Sequence, residues 1–438
     1  MRMSVIGCGY LGAVHAAAMA SIGHDVIGID VDERKVAALD AGSAPFFEPQ
    51  LTELLAEGRA SGRLRFSSRM ADAAGAQVHF LAVGTPQIPG GHAADLRYVD
   101  AAIDELLPHL RAGDVIAGKS TVPVGTAARL ATRVAGSGSG ATVVWNPEFL
   151  REGWAVHDTL TPDRLVVGAE PDAAGERGVA VLREVYAAAV EAGTPFLVTD
   201  LATAELVKGA ANAFLATKIS FINAMAEIAE ASGADVALLA DALGHDSRIG
   251  RRYLGAGIGF GGGCLPKDIR AFAARAEELG RGEAVGFLHE VDAINLRRRE
   301  RAVQLIVDAL GGLVFGRRIA VLGAAFKPFS DDIRDSPALD VAVRLRGLGA
   351  DVVVTDPAAL DNAAAAHPQL GYERHRDDAL READAVVIVT EWDEYRRDLS
   401  PAHAGGLVRG RIIIDGRNCL DAAAWRAAGW QYHGMGRR

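Results

Sequence analysis

Met3-Ser4-Val5-Ile6-Gly7-Cys8-Gly9-Tyr10-Leu11-Gly12 is the stretch that decides the fold. A short apolar run leads into three spaced glycines, and an Ala-rich helical segment follows. A second run, Asp25-Val26-Ile27-Gly28-Ile29, then ends at Asp30. Strand, glycine turn, helix, strand and acid at this spacing make a dinucleotide-binding unit. Asp30, 23 residues beyond Gly7, can accept hydrogen bonds from a ribose 2′-hydroxyl and repels a 2′-phosphate, so the expected cofactor is NAD rather than NADP. The plain alternative is an ordinary tight turn in an α/β sheet.

Downstream, β-type apolar runs recur at Val78-His79-Phe80-Leu81-Ala82-Val83, Val115-Ile116-Ala117, Thr142-Val143-Val144-Trp145 and Leu165-Val166-Val167, with Ala-rich helical segments between them. The alternation predicts a mostly parallel sheet covered by helices on both faces, with functional residues in the loops after the strands. Three of those loops are polar: Gly84-Thr85-Pro86, Lys119-Ser120-Thr121-Val122-Pro123 and Asn146-Pro147-Glu148-Phe149-Leu150-Arg151-Glu152-Gly153. Taken singly, Thr85, Thr121 and Glu148 read first as turn formers or helix caps.

From about Thr199 to Ala231 the pattern changes to helical periodicity without strands. Lys208 and Asn212, four apart, share a helix face with Glu205 within reach. A lysine on an amphipathic helix ordinarily faces water. Gly209-Ala210-Ala211 instead favours close packing around this face and a Lys208 inside, where it needs a partner. The long Ala-rich helix also leaves an apolar face that neither sheet obviously covers, so a homodimer built on it is expected.

Near Arg317 a second Rossmann-like unit begins, with Arg318-Ile319-Ala320-Val321-Leu322-Gly323 as strand and turn, and Asp351-Val352-Val353-Val354-Thr355-Asp356 ending in an acid. Gly323-Ala324-Ala325-Phe326-Lys327 lacks the later glycines, and Ser330-Asp331-Asp332-Ile333-Arg334-Asp335-Ser336-Pro337 is inserted before the helix. NAD fits poorly there. A nucleotide held by Lys327 and Arg334 fits better. Strands Ala385-Val386-Val387-Ile388-Val389 and Arg411-Ile412-Ile413-Ile414-Asp415 complete the sheet, and Arg417 stands at a strand end.

A chain of 438 residues, 50% of them apolar, is long enough for two or three packed domains. Its net charge of −10 gives no general attraction for nucleic acid or acidic membranes, and neither is an expected partner. Arg2 and the Ala-rich stretch Ala16-Ala17-Ala18-Met19-Ala20 imitate a secretory leader, but spaced glycines have no use in its apolar core. No segment offers the roughly 18 to 20 uninterrupted apolar residues of a membrane span. Three cysteines, an odd number, make no disulfide framework and agree with a reducing compartment, so a soluble, cytoplasmic protein is expected. Twelve histidines are scattered without metal-ligand spacing, and no metal site is expected.

Of the cysteines, Cys8 and Cys419 read as small buried residues. Cys264 does not, because Gly259-Phe260-Gly261-Gly262-Gly263-Cys264-Leu265-Pro266-Lys267-Asp268 sets it among glycines with a lysine and an aspartate close behind. The glycines leave the sulfur approachable and main-chain N–H donors available. A thiol ionises more readily near positive charge, so the segment reads as a nucleophile in a loop. A flexible glycine-rich turn that happens to contain cysteine is the alternative from this segment alone.

Together these residues resemble the UDP-glucose/GDP-mannose dehydrogenase family over nearly the whole length. The motifs are GCGYLG at Gly7, the Pro45-x-x-Glu48-Pro49 pair, KSTVPVGT at Lys119, NPEFLREG at Asn146, Pro162-Asp163-Arg164, Lys208-x-x-x-Asn212, FGGGCLPKD at Phe260, AFKP at Ala325 and DGRN at Asp415. Arg248-Ile249-Gly250, Tyr253 and Gly257-Ile258-Gly259-Phe260 are most similar to the members that oxidise UDP-glucose. Gly263 stands where serine is usual and Leu265 where phenylalanine is usual. CLPKD also occurs in the GDP-mannose members.

The resemblance implies an α/β fold of two Rossmann-like doubly wound domains joined by a central helical segment with a long helix. Residues 1–198 would bind NAD, 199–300 would form a helical dimerisation domain carrying catalytic residues, and 301–438 would bind the UDP-sugar. The implied reaction is a four-electron oxidation of a sugar C6 alcohol to a carboxylate by two NAD⁺, through a thiohemiacetal and thioester on Cys264. Lys208 and Asn212 would stabilise the oxyanion, Asp268 and Thr121 would handle protons through a water, and Glu148 would assist hydrolysis.

Implied NAD contacts are Gly7, Gly9, Tyr10, Leu11, Gly12, Asp30, Lys35, Thr85, Thr121, Glu152, Lys267 and Arg334. Implied substrate contacts are Glu148, Phe149, Leu150, Arg151, Glu152, Lys208, Asn212, Arg248, Tyr253, Leu254, Gly255, Ala256, Gly257, Gly261, Phe326, Lys327 and Arg417. UDP-glucose is the favoured substrate, with GDP-mannose or a UDP-N-acetylhexosamine as alternatives. A 6-phosphogluconate or 3-hydroxyacid dehydrogenase would perform one two-electron oxidation and need neither the cysteine nor a third domain. A non-catalytic nucleotide-sugar sensor would have no use for Cys264, Lys208, Asn212 and Asp268 together.

Overall fold

Short apolar runs become the parallel strands of two sheets in the computed structural model, which describes residues 1–437. The first sheet holds β1 (Arg2–Ile6), β2 (Asp25–Ile29), β3 (Leu64–Ser67), β4 (Val78–Leu81), β5 (Val115–Gly118), β6 (Thr142–Trp145), β7 (Leu165–Gly168) and β8 (Phe196–Thr199). Its order is β3-β2-β1-β4-β5-β6-β7-β8, and β6 with β7 is its antiparallel pair. Helices cover both faces, so the central strands are buried on both sides rather than alternately, and the buried Ser4 of β1 and His79 of β4 hydrogen-bond to each other at 2.8 Å. One core gathers Met3, Val5, Val14, Leu55, Phe80 and Val144, and another gathers Ile6, Ile29, Ile103, Leu130 and Trp145. Because Val5 and Ile6 are consecutive, these two cores lie on opposite faces of β1. The strand order reverses between β1 and β4, and the loops after β1, β4, β5 and β6 leave the sheet at one edge, where α/β folds place their ligands.

The second sheet holds β9 (Arg318–Leu322), β10 (Asp351–Thr355), β11 (Gly371–Tyr372), β12 (Ala385–Ile388), β13 (Ile412–Asp415) and β14 (Gln431–Gly434). Its order is β11-β10-β9-β12-β13-β14 and every neighbour is parallel. A helix of 32 residues, Leu201–Ser232, stands between the two sheets in the sequence. The chain divides into two compact units: Met1–Ala211 with Ala274–Gly280, and Asn212–Ala273 with the chain from Arg281 onward. The long helix therefore contributes Lys208 to one unit and Asn212 to the other. Among the described residues no helix is long and apolar enough to cross a membrane.

Four strands escape the sequence pattern. Leu64-Arg65-Phe66-Ser67 and Gln431-Tyr432-His433-Gly434 have too few apolar positions, Gly371-Tyr372 is only two residues long, and β8 is an edge strand whose Leu197 and Val198 remain exposed.

Candidate active site

The glycine turn after β1 is shaped for a dinucleotide. Gly7 has φ +88°, a conformation that favours glycine, and a Cβ at Gly12 would stand 1.8 Å from the Gly7 carbonyl oxygen. A Cβ at Gly9 would meet nothing within 4 Å, so the turn opens onto space. Gly9 caps the helix Tyr10–Ser21 without a side-chain hydrogen bond, which leaves the N-terminal N–H groups of that helix to an anion. Asp30, at the end of β2, accepts from the N–H of Cys8 at 2.8 Å, the N–H of Asp32 at 3.0 Å and the ammonium of Lys35 at 2.9 Å. These bonds fix its carboxylate beside the turn. The residues present fit NAD.

The corresponding turn of the second unit does not. Asp356, following β10, accepts from the N–H groups of Ala324, Ala325, Ala358 and Ala359 and from the indole of Trp392, all within 3.1 Å. With those five donors on two oxygens, little acceptor capacity remains for a ribose. Gly323 is itself closed by Thr390, whose Oγ1 would lie 2.3 Å from an added Cβ.

In the first unit the loops after β4, β5 and β6 bring together several expected residues. Thr85 donates its hydroxyl to the Thr121 carbonyl at 2.8 Å, joining two neighbouring loops. Lys208 lies 3.0 Å from Glu148, with side chains only 6% and 11% exposed. Glu148 is thus a partner of Lys208, and Glu205 stands about one turn before it on the same helix. Glu205 accepts the N–H groups of Gly125 and Ala127 at 2.8 and 2.6 Å, and burial pushes its carboxyl up to about 6. Leu150 donates its N–H to Glu148 at 2.8 Å, Arg151 pairs with Asp158 at 2.6 Å, and Glu152 is buried. Phe149 carries the Arg164 guanidinium 3.9 Å from its ring centroid.

Beneath this loop lies a network that sequence reasoning missed. Lys119 donates to Asn146 Oδ1 at 2.9 Å and to the Tyr186 hydroxyl at 3.2 Å, and Tyr186 donates to the same Asn146 oxygen at 2.7 Å. Burial pushes the Lys119 ammonium down to about 8, against an opposing pull from Glu148. Lys119 and Tyr186 border a recess open to solvent, lined also by Leu11, His15 and Glu148. The signal was the placement of Lys119 and Asn146 at the ends of adjacent strands, where a buried amide can anchor the chain turning toward Glu148.

In the second unit Cys264 is exposed and stands immediately before the helix Leu265–Glu278. That position favours a thiolate, since a helix N-terminus carries partial positive charge. Asp268, one turn on, donates its N–H to the Cys264 carbonyl at 2.8 Å. Its buried carboxylate accepts from Asn212 Nδ2 at 2.7 Å and from Lys267 Nζ at 2.5 Å. Cys8 and Cys419 differ: burial raises both thiols well above their ordinary range, so they stay protonated and unreactive.

The glycine run serves the protein's own packing as well as access to sulfur. An added Cβ at Gly262, where φ is +86°, would stand 2.7 Å from the Phe326 ring, and one at Gly261 would stand 2.3 Å from the Asp335 carbonyl. At Gly263 it would meet the Arg334 guanidinium at 2.2 Å. The Gly262 N–H, expected to be available to a ligand, is donated to the Arg334 carbonyl at 2.8 Å. The run is clamped from its other side by Asn295, which accepts from the Phe260 N–H at 2.7 Å and donates to its carbonyl at 3.0 Å.

The remaining expected contacts lie in this unit too. Arg417 donates to the carbonyls of Val389, Gly259 and Phe326 at 2.7, 2.8 and 3.0 Å, which makes it a clamp on three loops. Lys327 lies 5.3 Å from the Phe326 ring centroid, and Arg334 pairs with Asp332 at 2.6 Å. Tyr253 has φ +65°, Leu254 and Ala256 are buried, space surrounds Gly255, and Gly257 donates its N–H to Asn223 at 2.9 Å. Through residues 253–257 a ligand would therefore meet mainly backbone. Arg248 is the outlier: its side chain is 87% exposed and engaged with Asp246.

Comparison with known proteins matches three successive segments of the chain. Residues 1–190 match the NAD binding domain of the UDP-glucose/GDP-mannose dehydrogenase family, residues 202–297 its central domain and residues 320–422 its UDP binding domain. A UDP-glucose 6-dehydrogenase of Rhizobium meliloti (strain 1021) is 41% identical over 440 residues, covering 100% of both chains. Among solved structures, a UDP-glucose dehydrogenase from the archaeon Pyrobaculum islandicum superposes with a TM-score of 0.89 at 41% identity, over 100% of this chain and 98% of that one. A UDP-D-ManNAc dehydrogenase from Pyrococcus horikoshii gives a TM-score of 0.86 at 28% identity, over 100% and 99%.

Proposed function

The chain belongs to the UDP-glucose/GDP-mannose dehydrogenase family, and on that premise we propose that it oxidises the C6 alcohol of UDP-glucose to a carboxylate through a covalent intermediate on Cys264. It is an oxidoreductase that uses NAD. The observation that carries the covalent reading is the exposed Cys264 at the start of a 14-residue helix, with Asp268 held by Asn212 and Lys267 one turn away. UDP-glucose is favoured over N-acetylhexosamine substrates because 41% identity to UDP-glucose dehydrogenases exceeds the 28% to a UDP-D-ManNAc dehydrogenase.

Bound NAD⁺ supplies a two-electron acceptor, used twice. The chain's own part begins with removal of the O6 proton through a water served by Asp268 and Thr121, leaving an aldehyde once the first hydride has departed. The Cys264 thiolate adds to the aldehyde carbon, and the carbonyl oxygen becomes the alkoxide of a thiohemiacetal, stabilised by the Lys208 ammonium and the Asn212 amide. Loss of the second hydride gives a thioester. Water, assisted by Glu148, adds to the thioester carbonyl and expels the thiolate, so one alcohol and one water become one carboxylate. Gly7, Gly9, Tyr10, Leu11, Gly12, Asp30, Lys35, Thr85, Thr121, Glu152, Lys267 and Arg334 would hold NAD. The segments 148–152 and 253–257, with Arg248, Gly261, Phe326, Lys327 and Arg417, would hold the sugar nucleotide.

The three-part division at residues 1–198, 199–300 and 301–438 belongs to this reading, supported by the three matched segments. So does a homodimer, supported by Phe214, Phe221 and Ile228, which recur at intervals of seven on the long helix and are 67%, 49% and 58% exposed. A cytoplasmic location agrees with the odd count of three cysteines. The test is NADH production over UDP-glucose, UDP-GlcNAc, UDP-ManNAc and GDP-mannose. Two NADH per UDP-glucose supports the proposal, and one NADH per sugar or a clear preference for another sugar rejects it.

A further inference from the structure

Glu48 ties together three segments of the first unit that are far apart in sequence. Its side chain is buried and accepts the Tyr10 hydroxyl and the Gly153 N–H through Oε2, the latter at 2.6 Å. Through Oε1 it accepts the N–H of Ala155 at 2.7 Å. The Gly153 N–H also lies 3.0 Å from the Tyr10 oxygen, closing a small ring of bonds. The Tyr10 ring packs on Phe46, 4.9 Å between centroids, which holds the hydroxyl in place.

The two ends of this connection sit at two binding segments. Tyr10 is the first residue of the helix whose uncapped N-terminus faces the glycine turn, so its backbone belongs to the cofactor segment. Gly153, at φ +77°, turns the chain directly after residues 148–152, the segment assigned to the sugar nucleotide. A buried carboxylate accepting from backbone on one side and a tyrosine on the other has little freedom to adjust, because any lost bond leaves a buried polar group unsatisfied.

We propose that Tyr10 and Glu48 are positioning residues that couple the two binding events: order imposed on the glycine turn by the dinucleotide is passed through the Tyr10 hydroxyl and Glu48 to Gly153 and Ala155, and sets the conformation of residues 148–152. The inference rests on the assignment of those segments to NAD and UDP-glucose. Coupling of this kind is reciprocal, and typical couplings change affinity about fivefold or more. Tyr10→Phe removes only the hydroxyl and keeps the contact with Phe46. Glu48→Gln places an amide NH₂ against a backbone donor and breaks one of the two main-chain bonds.

The test is calorimetric titration of UDP-glucose into the full chain, alone and saturated with NADH, which cannot take a further hydride from the sugar. The ratio of the two dissociation constants is the coupling factor, and a merely structural role would weaken both constants without moving their ratio. A wild-type factor of about five or more, falling below half its value in Tyr10→Phe and Glu48→Gln, is expected. A wild-type factor under about two, or a Tyr10→Phe factor at least half that of wild type, overturns the proposal. Should Glu48→Gln fail to fold, Tyr10→Phe decides alone. Failure of wild type to bind UDP-glucose in either state overturns the substrate assignment instead.

Discussion

Lys208 lies 3.0 Å from Glu148 in a buried pair that joins the long helix to the loop after β6. Removing one member of such a pair leaves the other charge buried and uncompensated, a loss of about 3–5 kcal/mol. Lys208→Ala should therefore lower the melting temperature as well as kcat, the latter by about 10²- to 10³-fold for loss of an oxyanion donor. Steady-state kinetics with a thermal melt separates the two effects. A kcat within tenfold of wild type would remove Lys208 from the chemistry.

Asp30 is pinned by Cys8, Asp32 and Lys35, so a cofactor carrying a 2′-phosphate would bring its negative charge against a carboxylate that cannot swing away. We predict a large preference for NAD⁺ over NADP⁺ in kcat/KM, narrowed by Asp30→Asn. Equal use of both cofactors by the wild-type protein would refute the placement of Asp30 on the ribose.

Lys119 titrates at about 8 because burial opposes its charge. Its folded pKa lies below the unfolded value, so above pH 8 the unfolded chain binds more protons. Native stability therefore gains as pH rises toward the unfolded pKa of about 10.4. Relative to Lys119→Met, wild type should gain on the order of 3 kcal/mol across that window. Denaturant titrations of both proteins at pH 7.5 and 10, conditions chosen roughly to bracket the shift, measure this. A stability difference independent of pH contradicts it.

Arg417 spends three donors on backbone carbonyls, whereas Lys327 presents its charge near the Phe326 ring. Both should act on substrate affinity more than on the chemical step. Arg417→Lys should in addition lose thermal stability, since an ammonium cannot reproduce the guanidinium fork. Normal KM with a collapsed kcat in Lys327→Ala would assign that lysine to the chemistry.

Much of this architecture is legible in the sequence because its signals are local. The turn at Gly7–Gly12 followed by Asp30 announces the first unit, and the same pattern without its later glycines at Gly323–Lys327 announces that the second binds something else. What is hidden depends on long-range pairing. Nothing in the helix face of Glu205, Lys208 and Asn212 reveals that Lys208 meets Glu148, that Asn212 meets Asp268, and that Glu205 caps the segment after Gly125. Likewise Glu48 shows in the sequence as one acid beside Pro49, and only folding brings it to Tyr10 and Gly153. Edge strands such as β8 were missed because half of their side chains stay in water.

The covalent role of Cys264 is the claim on which the account turns, and NADH yield per UDP-glucose in Cys264→Ala measures it most directly. The first oxidation needs hydride transfer and a base, so this variant should still bind both ligands and interconvert alcohol and aldehyde weakly. It should make no net carboxylate, while Cys264→Ser should accumulate an ester-linked sugar visible as added mass on the intact protein. If Cys264→Ala instead delivers two NADH per sugar at a near-normal rate, oxidation proceeds without the thiol and the covalent account is wrong.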